Sequence, residues 1–249
     1  QQLLDTAHIR LLHNFRQSDS LGLSTLASDI MHIDPSEVVT RLDANFYAGV
    51  GFFGNSPLDI TELIDEAVSH YKTIAEQSTV EDALSMLSER IILSPVREGP
   101  CGSIALNARI GNRLHARGNR HGQVLMITEN VPSLGLANGD IGLIWRNDDV
   151  FKVHFQLHGG MHTVSLSSLP RHEWAYSLTV HKSQGSEFGR VDLVLPDFDM
   201  PLLSRALIYT AVTRAKNSLA LYAQAEVLLK GLQRNSSRMS GLALLASSA

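Results

Sequence analysis

Two different periods organise the apolar positions of this chain. Helical spacing, with apolar residues three and four apart, marks Leu23 to Met31, Asp59 to Ser69, Val80 to Leu87 and Ile104 to His115. The second and third of these carry acids on their remaining positions, which predicts solvated outer faces. Asp34-Pro35-Ser36-Glu37 reads as a capped helix start with proline in the first turn. Ile91 to Val96 is a compact apolar run of the kind a buried strand makes. The turn Arg97-Glu98-Gly99-Pro100-Cys101-Gly102 joins it to the helix that follows. Strand, glycine-rich turn and helix form a βα unit, and open α/β sheets collect ligands at such strand ends. Gly49, Gly51 and Gly54 predict a loop, without the P-loop or G-x-G-x-x-G spacing of a phosphate cradle.

From Gly118 to Pro170 the pattern changes. Val124 to Thr128, Ile141 to Trp145, Val150 to Leu157 and His162 to Leu166 are short strand-like runs. Turns such as Asn138-Gly139-Asp140 and Asn147-Asp148-Asp149 separate them, and the spacing predicts a small β-barrel. His154, His158 and His162 recur every four residues, a spacing that puts them on one strand face. Gly159-Gly160 breaks that register and no carboxylate or cysteine joins them, so no metal site is expected. Farther on, Glu173 to Ser183 reads as a helix ending at Gly185, with an apolar strand up to Thr179 as the alternative. Val191 to Leu195 predicts a strand, Pro201 to Lys216 a helix, Ser218 to Tyr222 a strand and Glu226 to Gln233 a helix.

Composition narrows the class. The 249 residues, 44% hydrophobic and 18% charged, suit one large domain or a domain carrying an insertion. A net charge of −4 argues against holding nucleic acid by bulk electrostatics, though not against a local track. Gly99 to Thr128 contains no acid but holds Arg109, Arg113, Arg117 and Arg120; the first three share a helix face, either solvated or tracking phosphates. A single cysteine, Cys101, excludes an internal disulfide framework and a cysteine-based zinc site, and makes a reducing cytoplasm the default. No run approaches the ~18 uninterrupted apolar residues of a membrane span. The start, Gln1-Gln2-Leu3-Leu4-Asp5, has neither an initiating Met nor a signal pattern, which predicts a trimmed chain.

Two polar runs carry the chemistry: Thr179-Val180-His181-Lys182-Ser183-Gln184-Gly185-Ser186-Glu187-Phe188, and Leu207-Ile208-Tyr209-Thr210-Ala211-Val212-Thr213-Arg214-Ala215-Lys216. Taken alone, His181-Lys182 is an exposed basic pair, Glu187 a surface charge and Lys216 a charge at a helix end. Together, in this order and with a strand between, they resemble the last two signature motifs of superfamily-one DNA helicases. The T-x-H-K-S-Q-G-S-E-F wording is nearest to the RecD family, the alpha subunit of exodeoxyribonuclease V. Further phrases agree: Leu11 to Arg16 looks like L-x-x-N-[FY]-R, Arg97 to Asn107 like R-x-G-x-x-G-x-x-x-L-N, Leu136 to Gly142 like L-x-N-G-D-x-G, and Ser240 to Leu245 like an S-G-L-A-x-L ending.

The resemblance implies a RecA-like second motor domain over 1–117 and 171–249, with an SH3-like β-barrel inserted over 118–170. It implies that Arg16 reaches the ATP γ-phosphate and that Arg214 acts as a finger across the cleft between two motor domains. Gln184, Gly185 and Glu187 would face the nucleotide, Glu187 near the ribose; Thr179, His181, Lys182 and Asn107 would face DNA. For Asn107 a packing role stays open beside that one. The implied cofactors are ATP and Mg²⁺, bound mainly by a first motor domain, because no G-x-x-x-x-G-K-[ST] and no Mg²⁺-holding acid motif occurs. The implied partners are single-stranded DNA and the RecB and RecC subunits, RecC the nearer contact, with 5′ to 3′ movement in double-strand break repair. Taken as a fragment, the chain is expected to be inactive as an ATPase. Two alternatives stay open: a non-catalytic DNA-binding or docking module with a motor fold, and a RecD-like helicase acting alone.

Overall fold

The computed structural model describes residues 22–54, 58–115, 118–148 and 150–234. Arg16, Arg117 and the Ser240 to Leu245 phrase therefore lie outside the described residues. Within them, the strands form two five-stranded sheets. The first is wholly parallel and orders its strands β1 (Val50–Phe53), β10 (Ala215–Tyr222), β9 (Phe188–Val194), β2 (Arg90–Ser94) and β8 (Ser177–Thr179). Helices flank it: α1 (Gly22–His32), α2 (Pro35–Asp43), α3 (Thr61–Ala75), α5 (Ser103–Leu114), α6 (Arg205–Val212) and α7 (Ala225–Gln233). All five residues of β2 are buried: the apolar Ile91, Ile92 and Leu93 as a covered parallel sheet requires, flanked by Arg90 and Ser94. Asp34 caps α2 by accepting the Ser36 N–H at 2.9 Å, with Pro35 in the first turn.

Three expectations fail here for physical reasons. The loop expected at Gly49 to Gly54 is strand β1, because Val50 to Phe53 pairs in register with Leu219 to Tyr222. No helix forms over Glu173 to Ser183; the strand alternative holds. Its first part, β7 (His172–Trp174), pairs with the second sheet, and β8 pairs with β2 in the first. The helix expected to reach Lys216 ends at Val212, since pairing of Ala215 with Phe188 draws the chain into β10. Lys216 is thus an exposed strand residue rather than a charge at a helix end.

The second sheet is antiparallel, in the order β6 (Gly160–Ser165), β5 (Val150–Leu157), β4 (Ile141–Asn147), β3 (Gln123–Ile127) and β7. Among the described pairings β6 and β7 stand at opposite edges of this sheet. The apolar run in β3 serves two cores at once. Val124 and Met126 join the large core along with Leu143 and Trp145 of β4. Leu125 and Ile127 join Ile144, Val153 and Phe155 in a smaller one. One face of this sheet thereby packs toward α4 (Val80–Met86), whose Val80, Ala83 and Leu84 lie in the large core. Cross-strand pairing of His154 with Thr163 and of Phe155 with His162 puts His154 and His162 on opposite faces. The His154 ring bonds the Thr163 hydroxyl at 3.0 Å. Asn138-Gly139-Asp140 is a turn, with Gly139 at φ 103° and the Asp140 carboxylate accepting the Ala137 N–H at 2.7 Å.

A cluster of charges ties α3 to the first sheet. Arg90 and Arg190 each place one nitrogen on Asp192, at 2.7 and 2.9 Å, and another on Glu66 of α3, at 2.8 and 2.9 Å. Asp192 is fully buried, so losing both arginines would strand its charge, a change costing about 3–5 kcal/mol. Glu66 is therefore not part of a purely solvated acidic face. Beside this cluster, burial pushes the His70 imidazole down to about 4, and the charges of Arg90 and Arg190 push the same way. His70 folds neutral, so its contribution is complete above its ordinary value near 6.5 and is lost as pH falls toward 4. Thermal midpoints measured across that range should decline in the wild type, and His70→Gln should flatten the decline.

Candidate functional site

The two polar runs meet at the amino edge of the parallel sheet. β9 and β10 are neighbours, Phe188 and Ala215 are in register, and the Phe188 N–H donates to the Arg214 carbonyl at 2.8 Å. Arg214 is only 8% exposed. Its Nε donates to the Thr210 carbonyl at 3.1 Å, one terminal nitrogen to the Ser186 carbonyl at 3.2 Å, and the other to the Thr213 hydroxyl at 3.3 Å. The guanidinium thus bridges the end of α6 and the 181–187 loop, held in one orientation by neutral acceptors. Glu187 forms an ion pair with Lys216 at 3.6 Å. Gln184 is exposed, and Gly185 sits at φ 91° with open space where a side chain would be, a backbone state that favours glycine. Gln184, Gly185, Glu187 and Arg214 are therefore brought together. Their donor set (a fixed cation, an amide, a bare backbone and a carboxylate) has the chemistry to hold phosphate and ribose.

The other end of the first run lies at the opposite edge. Thr179 closes β8 level with Ser94, while Phe188 opens β9 ahead of the level of Arg90. At about 3.3 Å per residue the run crosses roughly 20 Å, from the carboxyl edge of the sheet to its amino edge. The Thr179 carbonyl accepts the N–H groups of Lys182 and Ser183 at 2.9 and 3.2 Å, and Val180 N–H bonds the Ser94 carbonyl at 3.0 Å. The turn leaves His181 exposed. Lys182 Nζ instead bonds Glu173 Oε1 of β7, at 2.5 Å, and Glu173 Oε2 also takes Arg97 at 3.3 Å. These three residues line a cleft of about 760 Å³ between the two sheets, together with Thr128, Asn138 and Arg171. Arg97, Arg171 and Glu173 carry no signal of their own in the sequence. Arg97 sits in a quoted phrase, but its meeting with Glu173 and Lys182 depends on long-range strand pairing.

The arginine row divides. Arg113 spends its charge on Asp65 of α3, which favours the solvated-face reading at that position. Asn107, expected among the DNA contacts, is turned inward. It is 7% exposed, accepts the Ser177 N–H at 2.8 Å and donates to the Ser177 carbonyl at 2.9 Å. Ser177 opens β8, an edge strand, so the side-chain amide of Asn107 imitates the next strand and satisfies that edge. Asn107→Ala should destabilise the fold by about 2–4 kcal/mol by orphaning two buried backbone groups. With the protein folded, affinity for single-stranded DNA should stay within twofold or so of wild type in an anisotropy titration.

Residues 174–222 match the family model described as UvrD-like helicase C-terminal domain. The chain is 43% identical over 124 residues to the RecBCD enzyme subunit RecD of Haemophilus influenzae, covering 50% of this chain and 18% of that protein. It is 28% identical over 246 residues to the RecD subunit of Mycolicibacterium smegmatis, covering 95% of this chain and 43% of the relative. Among solved structures, a Pif1 helicase from Bacteroides is 12% identical, with a TM-score of 0.49 over 96% of this chain and 56% of its own. The chain thus spans less than half the length of these curated relatives. The matched stretch contains both polar runs up to the end of β10, and over it the chain is similar to the carboxy-terminal part of superfamily-one helicases of the RecD type.

Proposed function

We propose that this chain is the second motor domain of an ATP-dependent 5′ to 3′ DNA helicase, the alpha subunit of a RecBCD-type helicase and nuclease in double-strand break repair. One observation carries the reading. A single loop run ends beside Arg214 at one edge of the sheet and begins beside the inter-sheet cleft at the other. A device that converts nucleotide chemistry into movement along a strand needs a physical link between those two places, and residues 179–188 are that link.

At the amino edge, Arg214 offers a permanently charged planar fork to the γ-phosphate, joined by Arg16 from the segment outside the described residues. Gln184 and the backbone at Gly185 face the nucleotide, and Glu187, steadied by Lys216, faces the ribose. ATP supplies the phosphoryl group whose transfer drives the cycle. Its phosphate cradle and Mg²⁺ belong to a first motor domain, for which this chain supplies the opposite wall of the cleft. At the carboxyl edge, Thr179, His181 and Lys182 face single-stranded DNA. RecB and RecC complete the assembly, with RecC the nearer neighbour, and the working place is the cytoplasm. Among the described residues no helix is long and apolar enough to cross a membrane.

The test uses the full-length protein in its complex. DNA-stimulated ATP hydrolysis should fall about a hundredfold or more in Arg214→Ala, with near-normal ATP binding. Arg214→Lys keeps the charge but not the fork and should remain at least tenfold or so impaired. An unchanged rate in both variants would leave a motor-shaped binding module.

A further inference from the structure

The inter-sheet cleft has a feature that a simple phosphate track lacks. Its two cations nearest the strand end, Lys182 and the exposed Arg97, are held by the two oxygens of one carboxylate, Glu173, at 2.5 and 3.3 Å. Arg97 follows the carboxyl end of β2 and Lys182 follows that of β8, so both cations belong to the parallel sheet. Glu173 belongs to β7 of the other sheet, where it pairs across from Met126. The contact therefore spans the cleft rather than lying on one wall. Arg171 lies in the same cleft and has no carboxylate within ion-pair distance of its side chain among the described residues; its backbone N–H donates to Glu129 at 2.9 Å and its carbonyl accepts the Thr128 N–H at 3.0 Å. Thr128 and Asn138 add neutral polar groups.

A carboxylate gripped by two cations occupies the position that a phosphodiester oxygen would take between the same groups. We infer that the cleft is a phosphodiester-binding site for a nucleic-acid strand, and that Glu173 is its resident anion, which an incoming phosphate displaces from Lys182 and Arg97. The inference rests on the DNA-side reading given above and adds to it the residues and the competition. Glu173 is half-exposed, with 29% of its side chain accessible, so its release to water costs little and the exchange is reversible. The consequence is a lowered affinity that lets the strand be released at each step. While Glu173 holds the two cations, they neutralise a protein charge rather than a phosphate, and the counterion release on binding is smaller.

The measurement is binding of a labelled oligo-dT strand to the full-length protein, without nucleotide, across a range of salt. Glu173→Gln keeps the shape and removes the charge. It should tighten binding about three- to tenfold near 0.1 M salt and steepen the logarithmic salt slope by about 0.7 for each phosphate newly neutralised. In the background of Arg97→Ala with Lys182→Ala, the same change should do nothing, because the cations it frees are gone. If Glu173→Gln leaves affinity and slope unchanged while Lys182→Ala and Arg171→Ala weaken binding, the competing-anion role is overturned and the DNA-side reading survives. If Lys182→Ala and Arg171→Ala also leave binding unchanged, the cleft is not a strand site and both fall together.

Discussion

The pairing of Phe188 with Ala215, at the amino ends of two neighbouring parallel strands, is the constraint on which the site depends. Those residues are far apart in sequence, and each lies near the end of one of the two runs. Setting the two strand starts side by side brings Glu187 to Lys216 and the Arg214 guanidinium to the Ser186 carbonyl. A parallel arrangement forces the return connections over the faces and edges of the sheet. For 180–187 that return crosses from one edge to the other, so the same geometry that assembles the Arg214 end also anchors the end at the inter-sheet cleft.

The surrounding fold keeps that pair of strand starts fixed. Arg90 on β2 and Arg190 on β9 converge on Asp192 and Glu66, which locks the sheet centre to α3 just inside the amino edge. At the far side, β7 and β8 are consecutive segments belonging to different sheets, so any shift of one sheet against the other is felt directly in front of Thr179. Tyr176, buried between them, accepts or donates with His115 at 2.7 Å and bridges toward β3. The second sheet therefore forms one wall of the inter-sheet cleft.

Elements whose signal is local were legible in the sequence. The buried strand at Ile91 to Val96, the capped start at Asp34 and the turn at Asn138 to Asp140 each follow from a few adjacent residues. Elements that exist only through distant pairing were not. Val50 to Phe53 looks like a glycine-rich loop until Leu219 to Tyr222 is beside it, and Trp174 to Thr179 has helical spacing until Leu125 and Ile92 claim its backbone. The same divide runs through the site. Gln184, Glu187 and Arg214 could be named from motif wording, whereas the Arg97–Glu173–Lys182 grouping needs both sheets in place. Asn107 stood between a DNA contact and a packing role, and the unsatisfied edge of β8 turns it inward.

Arg214 is central because it touches both runs, and the finger role proposed for it would act on charge that develops only during transfer. Affinities of the full-length protein for ADP and for ADP with aluminium fluoride, a mimic of the transferring phosphoryl group, isolate that role. Arg214→Ala should leave ADP binding within about twofold of wild type and weaken the mimic about tenfold or more. Equal losses for both ligands, or none for either, would contradict the account.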